Sequence, residues 1–244
     1  MKSYLKTFFR KIGLFTIVRN IYRSINREHR EKRSSYKIFF NQLINKEDLC
    51  FDIGANLGQT IEALIASDAI VVAAEPNPLC HQTLQSQFKK SKDVTIVKKA
   101  LGSSVGFAEL NFKGTNATAS IRNDWGFETE GKVQVKVTTL DNMIEEFGVP
   151  KLLKVDVEGY EYEVFKGLTT PIELIYFEVH GKEMDLAMKV LDRLEEIGEL
   201  EGVKVLSGHN SNWLVNQWSK PDELLNKLGD PLPRHANFLV KMKV

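Results

Sequence analysis

The chain has 244 residues, 43% of them hydrophobic and 27% charged, with a formal net charge of +1, ordinary values for one soluble α/β domain with or without an appendage. The longest apolar run near the core is Ala69 to Ala74, far too short for a membrane span. Two cysteines, Cys50 and Cys80, give neither a metal-site spacing nor a disulfide framework, so a reducing, cytoplasmic setting is expected.

Charge is spread unevenly. Residues 1–40 carry eleven Lys/Arg against two Glu, a balance of +9, whereas the rest of the chain is −8. An acidic body argues against nucleic acid as the partner. Residues 3–25 place Leu5, Phe8, Ile12, Phe15, Val18, Tyr22 and Ile25 three or four apart, which predicts a basic amphipathic helix. It lacks the short apolar core of a secretion signal. Two readings of it stay open: peripheral contact of residues 1–33 with an anionic membrane at its inner face, or packing on the body or on a partner chain. The arm is expected to span 1–43 and the main domain 44–244.

From Leu49 the chain alternates. Strands are predicted at Leu49–Ile53, Ile70–Glu75 and Val94–Lys98, with helices at Gln59–Ala66 and Pro78–Lys89 between them. Short links and strands apolar on both faces indicate a parallel, doubly wound sheet. The rhythm breaks at Phe107–Phe112 and Val133–Val137, whose alternation predicts an antiparallel pair around a polar loop, Lys113–Gly131. Helix Leu140–Phe147, strand Lys151–Asp156, helix Tyr160–Lys166, strand Glu173–Val179, helix Met184–Ile197 and strand Val203–Leu206 follow, and Asn237–Val244 is the last strand. Residues 208–235 read as irregular, with a short helix near Asp222–Leu228.

The loop after the first strand reads Asp52-Ile53-Gly54-Ala55-Asn56-Leu57-Gly58 and opens onto a helix. Its glycines admit positive φ and close approach of a ligand, and the helix start offers unpaired N–H groups. Glu75, ending the second strand, stands where doubly wound sheets bind the ribose hydroxyls of an adenosine. NAD is one candidate, but its G-x-G-x-x-G fingerprint is absent. An acid at the mouth of the loop and a side-chain amide in its cradle suit the amino group of S-adenosylmethionine better than a pyrophosphate. Asp156 and Glu158 share one face at the end of the fourth core strand, and Glu178 and His180 share one at the end of the fifth. Asp156 or Glu158 could instead cap the helix that follows.

These segments resemble the FkbM family of S-adenosylmethionine-dependent methyltransferases. The resemblance is carried by Phe51-Asp52-Ile53-Gly54-Ala55-Asn56-Leu57-Gly58, Glu75-Pro76-Asn77, Ala100-Leu101-Gly102, Val137-Thr138-Thr139-Leu140-Asp141, Lys154-Val155-Asp156-Val157-Glu158-Gly159-Tyr160-Glu161 and Glu178-Val179-His180, and covers residues 48–181. It implies a class I methyltransferase fold, a Rossmann-like seven-stranded sheet whose last strand is antiparallel and inserted. It implies that Asp52, Gly54, Asn56 and Gly58 line the methionine end of the cofactor, with Ala55 and Thr60 beside them. Glu75 and Pro76 would then lie at the ribose and the Lys99–Leu101 turn, with Ala100, at the adenine. Asp156 borders both cofactor and acceptor. Family members methylate hydroxyl oxygens of sugars, glycans and secondary metabolites.

A hydroxyl is a poor nucleophile and needs a base or a metal to take its proton. His180 is the candidate base, its ordinary pKa lying nearest neutrality. Asp156 and Glu178, with Glu158 nearby, would orient it, or Asp156, Glu178 and His180 would together bind Mg²⁺. Trp125, Phe127, Trp213 and Trp218 are available to stack on a sugar, although the last two are equally suited to the core. The competing readings are an NAD-dependent oxidoreductase and a non-catalytic, membrane-docked adaptor with the same fold.

Overall fold

The structure is a computed structural model and describes residues 35–112, 119–122, 131–180, 183–208, 212–228 and 235–244. Residues 1–34 of the predicted arm, with its amphipathic helix, and Trp125 and Phe127 lie outside the described residues. The helices are α1 (residues 35–41), α2 (Gln59–Ile65), α3 (Pro78–Phe88), α4 (Leu140–Phe147), α5 (Glu161–Lys166), α6 (Met184–Ile197) and α7 (Pro221–Lys227). The strands are β1 (Leu49–Ile53), β2 (Ile70–Ala74), β3 (Val94–Val97), β4 (Ala100–Leu101), β5 (Gly106–Phe112), β6 (Ala119–Ser120) and β7 (Gly131–Thr138). They continue with β8 (Leu152–Val155), β9 (Leu174–His180), β10 (Leu200–Ser207), β11 (Asn212–Ser219) and β12 (His235–Met242).

The main sheet runs β3-β2-β1-β8-β9-β12-β10-β11. β3, β2, β1, β8 and β9 pair in parallel, and β12 enters antiparallel between β9 and β10. The last strand is thus antiparallel and inserted, as expected, but the sheet has eight strands where seven were expected. The eighth, β11, corrects the irregular reading of 208–235: it pairs with β10 at the sheet edge through a shifted register. Its Trp213 packs toward Phe39, and Lys204 Nζ lies 5.2 Å from the Trp213 ring and 4.8 Å from that of Trp218.

Burial on both faces explains the continuous apolar strands. Phe51, Ile53, Leu153, Val155, Phe165, Phe177 and Phe238 form the core on one face. Cys50, Ile61, Leu64, Val71, Leu84, Leu152 and Phe40 form it on the other. α1 therefore belongs to the packed body, with Phe40 fully buried and the Phe39 ring 5.3 Å from that of Tyr176. Among the described residues no helix is long and apolar enough to cross a membrane.

The predicted antiparallel pair is β5 and β7, which with β4 and β6 make a second sheet, β4-β7-β5-β6. Its inner residues stand over the carboxyl ends of β1, β2 and β8. In an open α/β sheet that edge is where ligands bind.

Candidate active site

The loop after β1 turns through Gly54, Asn56 and Gly58, whose φ values are 80°, 53° and 80°. A Cβ on Gly54 would lie 1.9 Å from the carbonyl oxygen of Asp156, so only glycine lets the loop press against the end of β8. A Cβ on Gly58 would meet Leu84 and Phe88 of α3 at 2.8 Å. Glu75 fixes the same loop from β2: its Oε2 accepts the Asn56 N–H at 2.7 Å and its Oε1 the Asn77 N–H at 2.8 Å. Burial pushes its carboxyl up to about 7, against the pull of those two N–H groups.

Gly54, Asn56, Glu75, Pro76, Lys99, Ala100, Leu101, Asp156, Glu158 and Tyr160 line one pocket, closed on the far side by Leu110 and Ala119–Ile121 of the small sheet. Of the residues expected at the cofactor, Asp52, Ala55, Gly58 and Thr60 are not on its wall. Strand parity is the reason for Asp52. It alternates with Phe51 and Ile53, and so points to the opposite face of β1, fully buried.

There Asp52 meets Lys154, its register partner on β8. Lys154 Nζ lies 3.1 Å from Asp52 Oδ1 and 3.3 Å from Asp156 Oδ2, and donates to the Gly54 carbonyl at 3.3 Å. Burial pulls the Lys154 pKa down, but Asp156 and Asp52 together outweigh it and hold the ammonium above its ordinary value. Burial likewise raises Asp52, against the pull of Lys154. Sequence reasoning missed Lys154; its one signal was a lone cation inside an apolar strand.

The segment after β8 forms the other wall. Glu158 is a non-glycine residue at φ 57°, a costly conformation that the surroundings must impose. Glu161 imposes it, its Oε1 accepting the N–H groups of Val157 at 3.0 Å and Gly159 at 3.2 Å. From the small sheet, Ser120 Oγ donates to the Glu158 carbonyl at 2.9 Å. Arg122 Nη1 reaches the Gly159 carbonyl at 3.3 Å and Glu183 Oε1 at 2.6 Å. Burial pushes Glu161 up to about 7.

His180 Nε2 lies 3.5 Å from Glu158 Oε2. Asp156 instead faces Lys154, and Glu178 Oε1 lies 3.0 Å from Nδ1 of His235, a residue the sequence reading did not single out. Of the carboxylates expected to orient His180, Glu158 is the one that stands within 3.5 Å of its Nε2. The expected metal trio of Asp156, Glu178 and His180 also changes: the His/carboxylate group that comes together among the described residues is Glu178, His180 and His235. Burial first, then the charges of Asp156 and Glu158, push Glu178 up to about 8. The hydrogen bond that the imidazole donates to Glu158 raises the His180 pKa.

Two of these carboxyls carry a consequence for stability. Glu75 and Glu161 each rise from 4.5 to about 7 on folding. Their protonated forms are the ones the fold favours, so this stability is complete below pH 4.5 and is lost as pH rises through 7. Denaturant unfolding of the ligand-free protein is expected to give a falling free energy between about pH 5 and 8. Glu161→Gln should flatten part of that slope; a wild-type profile rising over this range would contradict the assignment.

The antiparallel β12 separates this sheet from a dinucleotide-binding one and makes the fold that of a class I methyltransferase, whose cofactor is S-adenosylmethionine. The chain belongs to the FkbM methyltransferase family: the methyltransferase FkbM domain matches residues 52–200. Hexuronic acid methyltransferase AglP of Haloferax volcanii is 31% identical over 141 residues, which are 56% of this chain and 57% of that protein. The chain thus matches little more than half the length of that relative. Similar solved structures include precorrin-6y C5,15-methyltransferase from Geobacter metallireducens GS-15, with 13% identity, 87% of each chain covered and a TM-score of 0.44. Another is tRNA (m1A58) methyltransferase TrmI from Aquifex aeolicus, with 15% identity, 87% of this chain and 69% of that one covered, and a TM-score of 0.43.

Proposed function

We propose that this chain moves the methyl group of S-adenosylmethionine to a hydroxyl oxygen of a sugar. The observation that carries the reading is Glu158, which lines the pocket beneath the small sheet and also stands 3.5 Å from His180. Cofactor and proton acceptor would then share one wall. Glu75 binds the ribose hydroxyls, the Lys99–Leu101 turn flanks the adenine, and Gly54 and Asn56 face the methionine end. The acceptor oxygen attacks the methyl carbon in line with the sulfur–carbon bond, from about 3 Å. That bond breaks, its electron pair stays on sulfur, and the hydroxyl proton passes to the Glu158–His180 pair.

The similarity to AglP makes a hexuronic acid the first acceptor to try. A cleft lined by Arg122, Tyr160, Glu163, Glu183, Asp185 and Lys189 adjoins the pocket and shares Tyr160 with it. Arg122 would take the acceptor's carboxylate in exchange for Glu183.

The test is transfer of labelled methyl from S-adenosylmethionine to hexuronic-acid and neutral saccharides. Label recovered on a sugar oxygen is the expected result; S-adenosylhomocysteine binding without transfer to any saccharide would overturn the acceptor class. Glu75→Ala checks the cofactor half. Losing charge-assisted bonds worth about 1.5–3 kcal/mol each should weaken S-adenosylhomocysteine binding by at least about 100-fold in calorimetry. An unchanged affinity would remove Glu75 from the ribose site.

A further inference from the structure

We propose that the corner where β9 meets β12 binds a first-row divalent cation such as Zn²⁺, Co²⁺ or Mn²⁺, held by Glu178, His180 and His235. The binding stands on its own geometry; its role in methyl transfer rests on the function proposed above. His180 and His235 are direct register partners across the antiparallel pair, and Glu178, two residues before His180, shares its face. The two imidazole rings are 4.6 Å apart between centroids. One ligand atom from each of the three residues lies within 4.8 Å of the others. His235 Nδ1 and Glu178 Oε1, 3.0 Å apart, would subtend about 90° at a cation with bonds of about 2.1 Å.

Two imidazoles and one carboxylate on one side are a facial set that leaves other positions open, and imidazole nitrogen selects these metals over Mg²⁺, which prefers oxygen. The Glu158 carboxylate beside His180 matches the carboxylate that metal-bound imidazoles usually carry on their other nitrogen.

The consequence is a substrate class. An open-sided cation beside the cofactor pocket would take a sugar presenting two adjacent oxygens, a vicinal diol or a hydroxyl next to a carboxylate. One metal–oxygen bond forms at the reacting hydroxyl and acidifies it. Its proton goes to Glu158, its oxygen takes the methyl group, and neutral S-adenosylhomocysteine leaves.

The test uses the full chain stripped with a chelator and titrated by calorimetry with Zn²⁺, and by absorbance with Co²⁺. Binding of one ion per chain is expected, with His180→Ala and His235→Ala each weakening it by at least about 10-fold. Retention of the S-adenosylhomocysteine thermal shift shows that a variant is folded; His235→Gln and Glu178→Gln replace any that is not. No stoichiometric binding, or binding indifferent to these substitutions, overturns the site. Full methyl transfer by stripped protein would remove the cation from catalysis and leave the proposed function standing. Specific cation binding without methyl transfer to any sugar would do the reverse.

Discussion

His180→Ala is expected to lower kcat by about 10²–10⁴-fold, the range for disabling the Glu158–His180 proton-accepting pair, while S-adenosylhomocysteine affinity changes little. The split follows from position. His180 is not on the wall of the cofactor pocket; Glu158 is, and stands between them. Removing the imidazole therefore takes nothing from the bound adenosine or methionine. Glu158→Gln keeps the shape of the wall but loses the carboxylate, and should fall in the same range. Its backbone at φ 57° tolerates glutamine no worse than glutamate, so the loss would be chemical. A merely structural role predicts something else. If His180 only braced the strand ends, its loss would lower thermal stability and cofactor affinity in step with kcat, and that parallel decline would defeat the assignment.

Much of the architecture was legible because local and tertiary preferences agree. Helix α4 begins where Thr139 Oγ1 accepts the Asn142 N–H at 3.2 Å, and α3 where Asn77 Oδ1 accepts the Leu79 N–H at 3.0 Å. Apolar runs ending in acids located Glu75, Asp156 and Glu158 at the sheet edge, where the structure has them. Strand β11 escaped because only Val215 and Ser219 of its eight residues are buried, and outward Asn and Gln give no period. His235 escaped for a different reason. It lies 55 residues beyond His180 in the chain, and only the insertion of β12 beside β9 makes the two neighbours. No local pattern encodes which gap in a sheet a late strand will fill. The face of Asp52, by contrast, was available: odd–even counting from Phe51 and Ile53 turns its side chain to the opposite face of β1.

Lys154→Met should destabilise the protein by about 3–5 kcal/mol, the usual cost of removing one partner from a buried ion pair. Methionine fills most of the lysine stem's volume, so little of the loss is cavity. What remains is a carboxylate on Asp52, fully buried, without the ammonium that lay 3.1 Å away. Asp52 must then ionise at a cost or hold its proton. Its folded pKa, already raised by burial, climbs further, so the destabilisation should grow from pH 5 to pH 8. Adding Asp52→Asn removes the stranded charge and should restore a large part of the loss. Denaturant unfolding of the two single variants and the double closes this cycle. A double variant no more stable than Lys154→Met alone would mean that Lys154 acts through packing. The same substitution also frees the Gly54 carbonyl and Asp156, both of which Lys154 reaches at 3.3 Å. Cofactor affinity should therefore fall even though neither Lys154 nor Asp52 lines the pocket. On this account Asp52 serves the cofactor by holding Lys154 under the glycine loop, and Asp52→Asn alone should weaken binding without removing a single contact to the ligand.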